Sequence, residues 1–167
     1  MKGGQGTASI RGRDGVVVGA LAVVNAFGDV LDPETGEILA GARDPEHPER
    51  LAGAANRLGV DLDAAVPSPI ENTTLGVVAI AADLSKPALT RVAGMALAGF
   101  ARSISPAHCV FDGDVLFLLA TGGPAANENT AGHLAARALA AAVADAVLAA
   151  DGFGQIPDRR TLGKTLK

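Results

Sequence analysis

Asn72, Thr73 and Thr74 stand where a proline-containing stretch gives way to a long apolar run. If the Asn72–Thr73 bond is broken, Thr73 gains a free α-amine with a pKa of about 7.7 to 8.0, which can accept a proton from its own hydroxyl. The same hydroxyl can break that bond by attacking the carbonyl of Asn72, because the two groups are already neighbours. An isolated Asn-Thr-Thr more commonly begins an ordinary strand, since threonine is β-branched.

Four more polar residues could take part in such chemistry. Asn25 ends a valine-rich run, Lys2 precedes a glycine-rich segment, and Asp112 and Asp114 flank Gly113. Each also has an ordinary structural explanation: asparagine caps turns, Asp-Gly-Asp forms a solvated turn, and a lysine beside the first residue belongs to a mobile terminus. The residue types alone leave both explanations open.

Several segments of the chain, taken in order, resemble one enzyme family. They are KGGQGTAS, VGALAVVNAFGD, ENTTLGVVA, LTRVAGMALAGFARSISP and FDGDVLFLLATG. Together they resemble the L-aminopeptidase/D-esterases, the β-peptidyl aminopeptidases and the endo-hydrolase of 6-aminohexanoate (nylon) oligomers. The resemblance implies an α/β fold, an αββα sandwich of the N-terminal-nucleophile hydrolase type. It also implies autocleavage between Asn72 and Thr73, so that residues 1–72 end an α-subunit and residues 73–167 form a β-subunit.

The resemblance also implies a role for each candidate residue. Thr73 matches the nucleophile, and Asn25 matches an asparagine whose amide donates to a tetrahedral oxyanion. Lys2 matches a lysine that helps to hold the nucleophile's amine neutral. Asp112 and Asp114 match an acidic pair that orients Lys2 or the new amine. The implied reaction is the hydrolysis of small peptides, β-amino amides or ω-amino amides through a Thr73 acyl-enzyme.

Other motifs do not support a different chemistry. The segment KGGQGT is not a phosphate-binding loop, because that loop needs its lysine after the glycines. His108 and Cys109 are sequence neighbours, whose side chains point to opposite faces of an extended segment, so we predict that Cys109 is a small buried residue and not a nucleophile. His47 and His133 have no partners at ligand-like spacing, and the Asp-Gly-Asp turn lacks the other ligands of a calcium loop. We expect no metal and no cofactor.

Bulk composition limits the class of protein. A chain of 167 residues that is 49% hydrophobic can bury one core, so we expect a single domain over residues 1–167. The net charge of −4 and the absence of Trp and Tyr argue against nucleic acid as a partner. No apolar run approaches the roughly twenty residues that span a bilayer, and the first residues lack a signal-peptide pattern, so we expect no membrane association and a cytoplasmic location.

The hydrophobic patterns predict the main elements. We expect glycine-rich flexible residues at the start, a long functional loop or flap after the first strand, and a tail beyond Asp151 that is frayed or bound at an interface. The predicted strands are Val16–Val24, Thr73–Ala82 and Val115–Ala120; the predicted helices are a short one over Glu49–Leu58, one starting at Ser85 and Pro87 and reaching Phe100, and an Ala-rich one over Asn129–Ala150.

Family members carry a substantial region before the KGG segment, so we expect this fold to be incomplete at its N-terminus, with the strand Val16–Val24 at an unpaired edge. The resemblance implies a homo-oligomer of processed heterodimers and a small peptide or amide substrate. The alternative is a truncated, non-catalytic fragment that serves assembly through its Ala-rich helix and exposed strand edges.

Overall fold

The protein is built on a four-stranded sheet with helices packed on one face. The computed structural model describes residues 1–56, 72–110 and 112–162. The strands are β1 (Gly4–Arg11), β2 (Val17–Asn25), β3 (Asp29–Leu31), β4 (Ile38–Ala40), β5 (Thr73–Ala81), β6 (Ile104–Ser105) and β7 (Val115–Ala120). The helices are α1 (Lys86–Ala96), α2 (Ala98–Ser103) and α3 (Glu128–Leu148), followed by a 3-10 turn, Arg159–Thr161.

The main sheet has the order β1-β2-β5-β7. Its first three strands are antiparallel neighbours, and β7 runs parallel to β5. The parallel connection is made by α1 and α2, as expected when two parallel strands must be joined by a crossover. The predicted strands are therefore found, but the first of them lies inside the sheet and not at an edge, because β1 pairs with it along its whole length.

Strand β1 corrects a second expectation, that the opening glycines form a flexible loop. Gly4 and Gly6 lie within the strand, and their missing side chains let β1 approach the backbone of α3 closely. A Cβ added to Gly6 would lie 2.2 Å from the nitrogen of Ala146 and 2.3 Å from the carbonyl oxygen of Ala142. The glycines are needed for packing at this contact and not for flexibility.

Helix α3 is the core helix. Thirteen of its 21 residues are buried, most of them alanines, so the helix lies close to the sheet. Its length and composition alone would allow it to cross a membrane, which corrects the statement that no apolar run approaches that length. However, 72% of the apolar window is buried inside the fold, as in the core helix of a globular domain.

Helix α1 begins where the sequence predicts. Ser85 is its N-cap, and the Ser85 hydroxyl accepts a hydrogen bond from the N–H of Ala88. The chain turns at Leu97 and continues as α2, which buries Phe100 and brings Gly99 against α3. The predicted single helix is thus two short ones.

The predicted long loop after β2 contains a small sheet of order β4-β3-β6. The buried carboxylate of Asp29 in β3 accepts hydrogen bonds from the N–H groups of Ala42 and Ala54, which ties the rest of this segment to the sheet. Of the predicted helix Glu49–Leu58, only residues 54–56 are helical within the described range, and its last two residues lie outside that range. The proline-containing stretch before Asn72 also lies outside it.

The tail up to residue 162 is folded and not frayed. The Asp158 carboxylate is 2% exposed and accepts hydrogen bonds from the N–H groups of Gly152 and Thr161, which lower its pKa. The N–H of Lys2 donates to the carbonyl of Pro157 at 2.7 Å, so the tail is tied to the start of β1.

The second face of the main sheet is apolar over β2, β5 and β7 and polar over β1, and it carries no helix within the described part of the chain. Residues of β2, β5 and β7 alternate between the helix-covered face and this open face. Its large exposed side chains are Val23 (39% exposed), Leu75 (41%), Phe117 (57%) and Leu119 (52%). Val23 pairs with Leu75 across the β2–β5 contact, so these residues form one continuous surface, which we call the open face.

Gly6→Ala should destabilise the protein by about 1–3 kcal/mol, because the new methyl group overlaps the backbone of α3 and forces strand and helix apart. Urea unfolding followed by circular dichroism measures the change. Gly19→Ala is the matched control, since Gly19 lies in β2 with nothing within 4 Å of an added Cβ. A Gly6→Ala variant as stable as the control would contradict the close packing described here.

Candidate active site

The candidate site lies where β2 ends and β5 begins. Asn25, the last residue of β2, is the register partner of Thr73, the first residue of β5. The alternation along both strands places the two side chains on the open face. Cβ atoms of directly opposed residues in an antiparallel pair lie about 4.5–5.5 Å apart, so the Asn25 amide and the Thr73 hydroxyl are neighbours.

The Thr73 hydroxyl lies against the peptide bond that precedes it. Its Oγ1 donates a hydrogen bond to the carbonyl oxygen of Asn72 at 2.6 Å. The same oxygen accepts a hydrogen bond from the N–H of Gly113 at 3.0 Å. The adjacent Thr74 points the other way: it is fully buried on the helix-covered face, and its Oγ1 has no hydrogen-bond partner in the part of the chain that the structure describes.

Asp114 is buried and bonded by several donors. Its Oδ1 accepts the N–H of Thr74 at 2.8 Å, and its Oδ2 accepts the N–H of His108 at 3.2 Å. The imidazole Nδ1 of His108 lies 3.5 Å from the same Oδ2, and the carboxylate is only 2% exposed. This acid therefore braces the start of β5 against the loop that carries His108.

Asp112 has one satisfied and one unsatisfied oxygen. Asn72 and Asp112 form a parallel bridge, which places this acid directly beside the Asn72–Thr73 bond. Its Oδ1 accepts the N–H of Phe27 at 3.2 Å, whereas its Oδ2 is buried without a hydrogen-bond partner among the described residues. Burial raises the pKa of the Asp112 carboxyl, the N–H of Phe27 opposes that shift, and the negative charge of Asp114 adds to it.

Lys2 lies at the same end of the sheet but two strands from Thr73. It precedes β1, whose Gly4 pairs with Val24, and β2 separates β1 from β5. Two strand spacings amount to about 10 Å. Within the described ranges the Lys2 ammonium makes no hydrogen bond or ion pair with Asp112 or Asp114, so the structure brings together the other candidate residues and leaves Lys2 apart.

Two further residues lie at the site although the sequence does not predict them there. His108 contacts Asp114 and packs edge-to-face on Phe100 with ring centroids 5.6 Å apart. Gly113, which the sequence predicts only as a turn residue, donates its N–H to the Asn72 carbonyl. The Gly113 contact depends on the pairing of β7 with β5, and the His108 contacts depend on the path of the loop between β6 and β7; no sequence pattern marks either.

The chemistry of Cys109 agrees with its exclusion as a nucleophile. The residue is half-buried, and burial followed by the negative charges of Asp112 and Asp114 raises the pKa of its thiol. A thiol with a raised pKa holds less of the reactive thiolate at neutral pH. Among the described residues there is also no group of three or more His, Cys, Asp or Glu side chains that could hold a metal ion.

Comparison with solved structures defines the class of fold. The L-aminopeptidase D-Ala-esterase/amidase of Ochrobactrum anthropi, described as a variant of the Ntn hydrolase fold, matches with a TM-score of 0.59 and 20% identity over 95% of this chain and 44% of that one. A β-aminopeptidase of a Burkholderia species matches with a TM-score of 0.56 and 26% identity, again over 95% and 44%. The chain therefore has the N-terminal-nucleophile hydrolase fold, as predicted.

Sequence comparison defines the family. The family model described as Peptidase family S58 matches residues 1–159, so the chain belongs to peptidase family S58. An uncharacterised aminopeptidase of Mycobacterium leprae is 42% identical over 94% of this chain and 47% of its own length. One from Mycobacterium tuberculosis is 41% identical over 97% of this chain and 52% of its own length. The chain spans about half the length of these curated relatives, and the predicted family resemblance is confirmed.

The substitution Asp112→Asn tests the raised pKa of the Asp112 carboxyl. It is made in a Thr73→Ala background so that only uncleaved chain is studied. Because the folded protein holds the Asp112 proton to a higher pH than the unfolded chain does, the carboxylate lowers stability as the pH rises between the two pKa values. The free energy of unfolding of the Asn variant, relative to its parent, should therefore rise from about pH 3 to about pH 7. Urea unfolding at several pH values measures it.

Asp32→Asn is the control with the opposite sign. The N–H groups of Thr35 and Glu34 lower the pKa of the Asp32 carboxyl, so loss of that carboxylate should cost more stability at neutral pH than in acid. A stability difference for Asp112→Asn that is the same at both ends of the range would contradict the environment described for this acid.

Proposed function

We propose that this chain carries the self-processing site and the nucleophile of an N-terminal-nucleophile aminopeptidase, with Thr73 released by cleavage after Asn72. The observation that carries the proposal is the 2.6 Å hydrogen bond from the Thr73 hydroxyl to the carbonyl oxygen of Asn72 at the first residue of β5. A hydroxyl held against the carbonyl of its own peptide bond needs little further positioning to attack it.

The proposed cleavage needs no reagent other than water. Thr73 Oγ1 forms a bond to the carbonyl carbon of Asn72, and the bond from that carbon to the Thr73 nitrogen breaks. The hydroxyl proton ends on this nitrogen, which becomes a free amine, and an ester joins Asn72 to Thr73. Water hydrolyses the ester, leaving a carboxylate on Asn72 and both the amine and the hydroxyl on Thr73.

The mature nucleophile would then act on an external amide. The Thr73 amine takes the hydroxyl proton, the hydroxyl forms an acyl-enzyme, and water releases the acid. Asn25, opposite Thr73 on the open face, is suited to donate to the oxyanion. The unpartnered Oδ2 of Asp112 is a ready acceptor for the new amine. Lys2 would tune the charge of the site from the neighbouring end of β1.

The proposed substrates are small peptides and β-amino or ω-amino amides with a free amine. The names of the relatives support this class: two are called aminopeptidases, one is a β-aminopeptidase and one is an L-aminopeptidase and D-Ala-esterase/amidase. An anionic pair beside the nucleophile suits such a substrate, because a free ammonium group is attracted to carboxylates. We propose that the working enzyme is an oligomer of processed chains.

Thr73→Ala should abolish cleavage, because no hydroxyl remains beside the Asn72 carbonyl, whereas Thr73→Ser should retain part of it. Intact-mass spectrometry separates two fragments that divide at Thr73 from a single uncleaved chain. Thr74→Val is the matched control, since it removes a buried hydroxyl that faces the helices and should leave cleavage unchanged. The same variants are assayed with aminoacyl and β-aminoacyl nitroanilides. Cleavage in Thr73→Ala would exclude this threonine as the nucleophile.

The open face favours a second candidate function, that of an assembly module. The Ala-rich helix is not available for this role, because its small residues pack against the sheet inside the chain. The open face instead exposes Val23, Leu75, Phe117 and Leu119 side by side. A continuous apolar surface of this kind is typical of a contact with another chain, and we propose that two copies associate through it.

Phe117→Glu should weaken such self-association by placing a charge at the middle of the contact, where it cannot be solvated. Sedimentation velocity over a range of protein concentrations measures the change. Leu148→Glu is the control, because Leu148 is 48% exposed but ends α3 away from the open face. A wild-type chain that stays monomeric at every concentration would exclude this second function and the proposed oligomer, and would leave the proposed cleavage and nucleophile unaffected.

A further inference from the structure

Gly113 contacts the Asn72–Thr73 bond in two ways. Its N–H donates to the Asn72 carbonyl oxygen at 3.0 Å. In the tetrahedral intermediate of the proposed cleavage this oxygen would carry the negative charge. A main-chain donor aimed at such an oxygen before reaction stabilises the charge as it develops, and needs no reorganisation to do so.

The second contact is made by the missing side chain. A Cβ on Gly113 would lie 2.8 Å from Thr73 Oγ1, and its next neighbours would be Thr73 Cγ2 at 3.7 Å and the Asn72 oxygen at 3.8 Å. Gly113 is not among the glycines with a positive φ, so its backbone does not require glycine. Glycine is required here because a side chain would occupy the space of the Thr73 hydroxyl.

We propose that Gly113 is a catalytic residue of self-processing: its N–H is the oxyanion donor for cleavage after Asn72, and its bare Cα leaves room for the Thr73 hydroxyl to attack. This inference rests on the proposed self-processing and names a residue that acts on that bond without a side chain. The acids on either side of Gly113 fix its position, since Asp112 is bridged to Asn72 and Asp114 is bonded to Thr74.

The same arrangement explains the choice between two adjacent threonines. Thr74 also has a hydroxyl next to a preceding carbonyl, but that hydroxyl is fully buried among the helices. Gly113 stands beside Thr73 and its scissile carbonyl on the other side of the strand. Cleavage is therefore directed to the bond after Asn72.

A purely structural role for Gly113 predicts a different result for its variants. The N–H to Asn72 bond continues the parallel ladder of β5 and β7, and a ladder bond contributes to stability whether or not a reaction follows. If the ladder is its whole role, changes at Gly113 alter unfolding and leave the cleavage rate of folded protein unchanged. Rate and stability must therefore be measured on the same variants.

Gly113→Ala tests the need for space. We expect the cleavage rate after a pulse of synthesis, followed by intact mass, to fall by about 100-fold or more, because the hydroxyl is displaced from the carbonyl. Gly94→Ala, at an exposed position of α1 with nothing within 4 Å, should cleave at the wild-type rate. The stability of Gly113→Ala is measured in the Thr73→Ala background, where the chain stays uncleaved and the overlapping oxygen is gone, and we expect little change there.

Replacing the Gly113 amide by an ester, with glycolic acid in place of glycine, tests the N–H alone. We expect cleavage to slow by about 10²–10³-fold in a chain that still folds by circular dichroism. If wild-type chain cleaves, Thr73→Ala does not, and both Gly113 changes cleave at the wild-type rate, the role of Gly113 is overturned while self-processing stands. If wild-type chain is never cleaved, self-processing fails and this inference fails with it.

Discussion

The pairing of β5 with strands on both sides is the constraint on which the candidate site depends. Its antiparallel register with β2 sets Asn25 opposite Thr73, and the bridge on its other side sets Asp112 beside Asn72. A register shift of one residue on either side would move every side chain to the opposite face. Thr73 would then point into the helices, as Thr74 does now.

The packing of the helices on the sheet fixes the register of β5 with its neighbouring strands. Alanines of α3 and glycines of β1 and α2 let the backbones approach closely, so the covered face of the sheet has little freedom to slide. The open face carries both Thr73 and the large exposed apolar residues. Any chain that covers this face would also form a wall of the site, which links the proposed chemistry to the proposed association.

Two buried polar atoms are held at an energetic cost. Oδ2 of Asp112 and Oγ1 of Thr74 lack hydrogen-bond partners within residues 1–56, 72–110 and 112–162, and an unsatisfied buried polar group costs about 1–3 kcal/mol. Asp114 differs, because donors from β5 and from the His108 loop satisfy both of its oxygens. The two acids thus have different roles: Asp114 holds the start of β5 in place, and Asp112 has an oxygen beside the Asn72–Thr73 bond.

The sequence by itself determined the class of fold, the main strands and helices, the candidate residues and the family. Hydrophobic periodicity, helix caps and local motifs each depend only on residues that are close together in the sequence. The sequence could not show that the opening glycines form an edge strand, that the loop after β2 holds a small sheet, or that His108 and Gly113 join the site. Those outcomes depend on register and layer packing between segments up to 138 residues apart, such as Thr7 and Asp145. Only the tertiary structure decides which distant backbones meet.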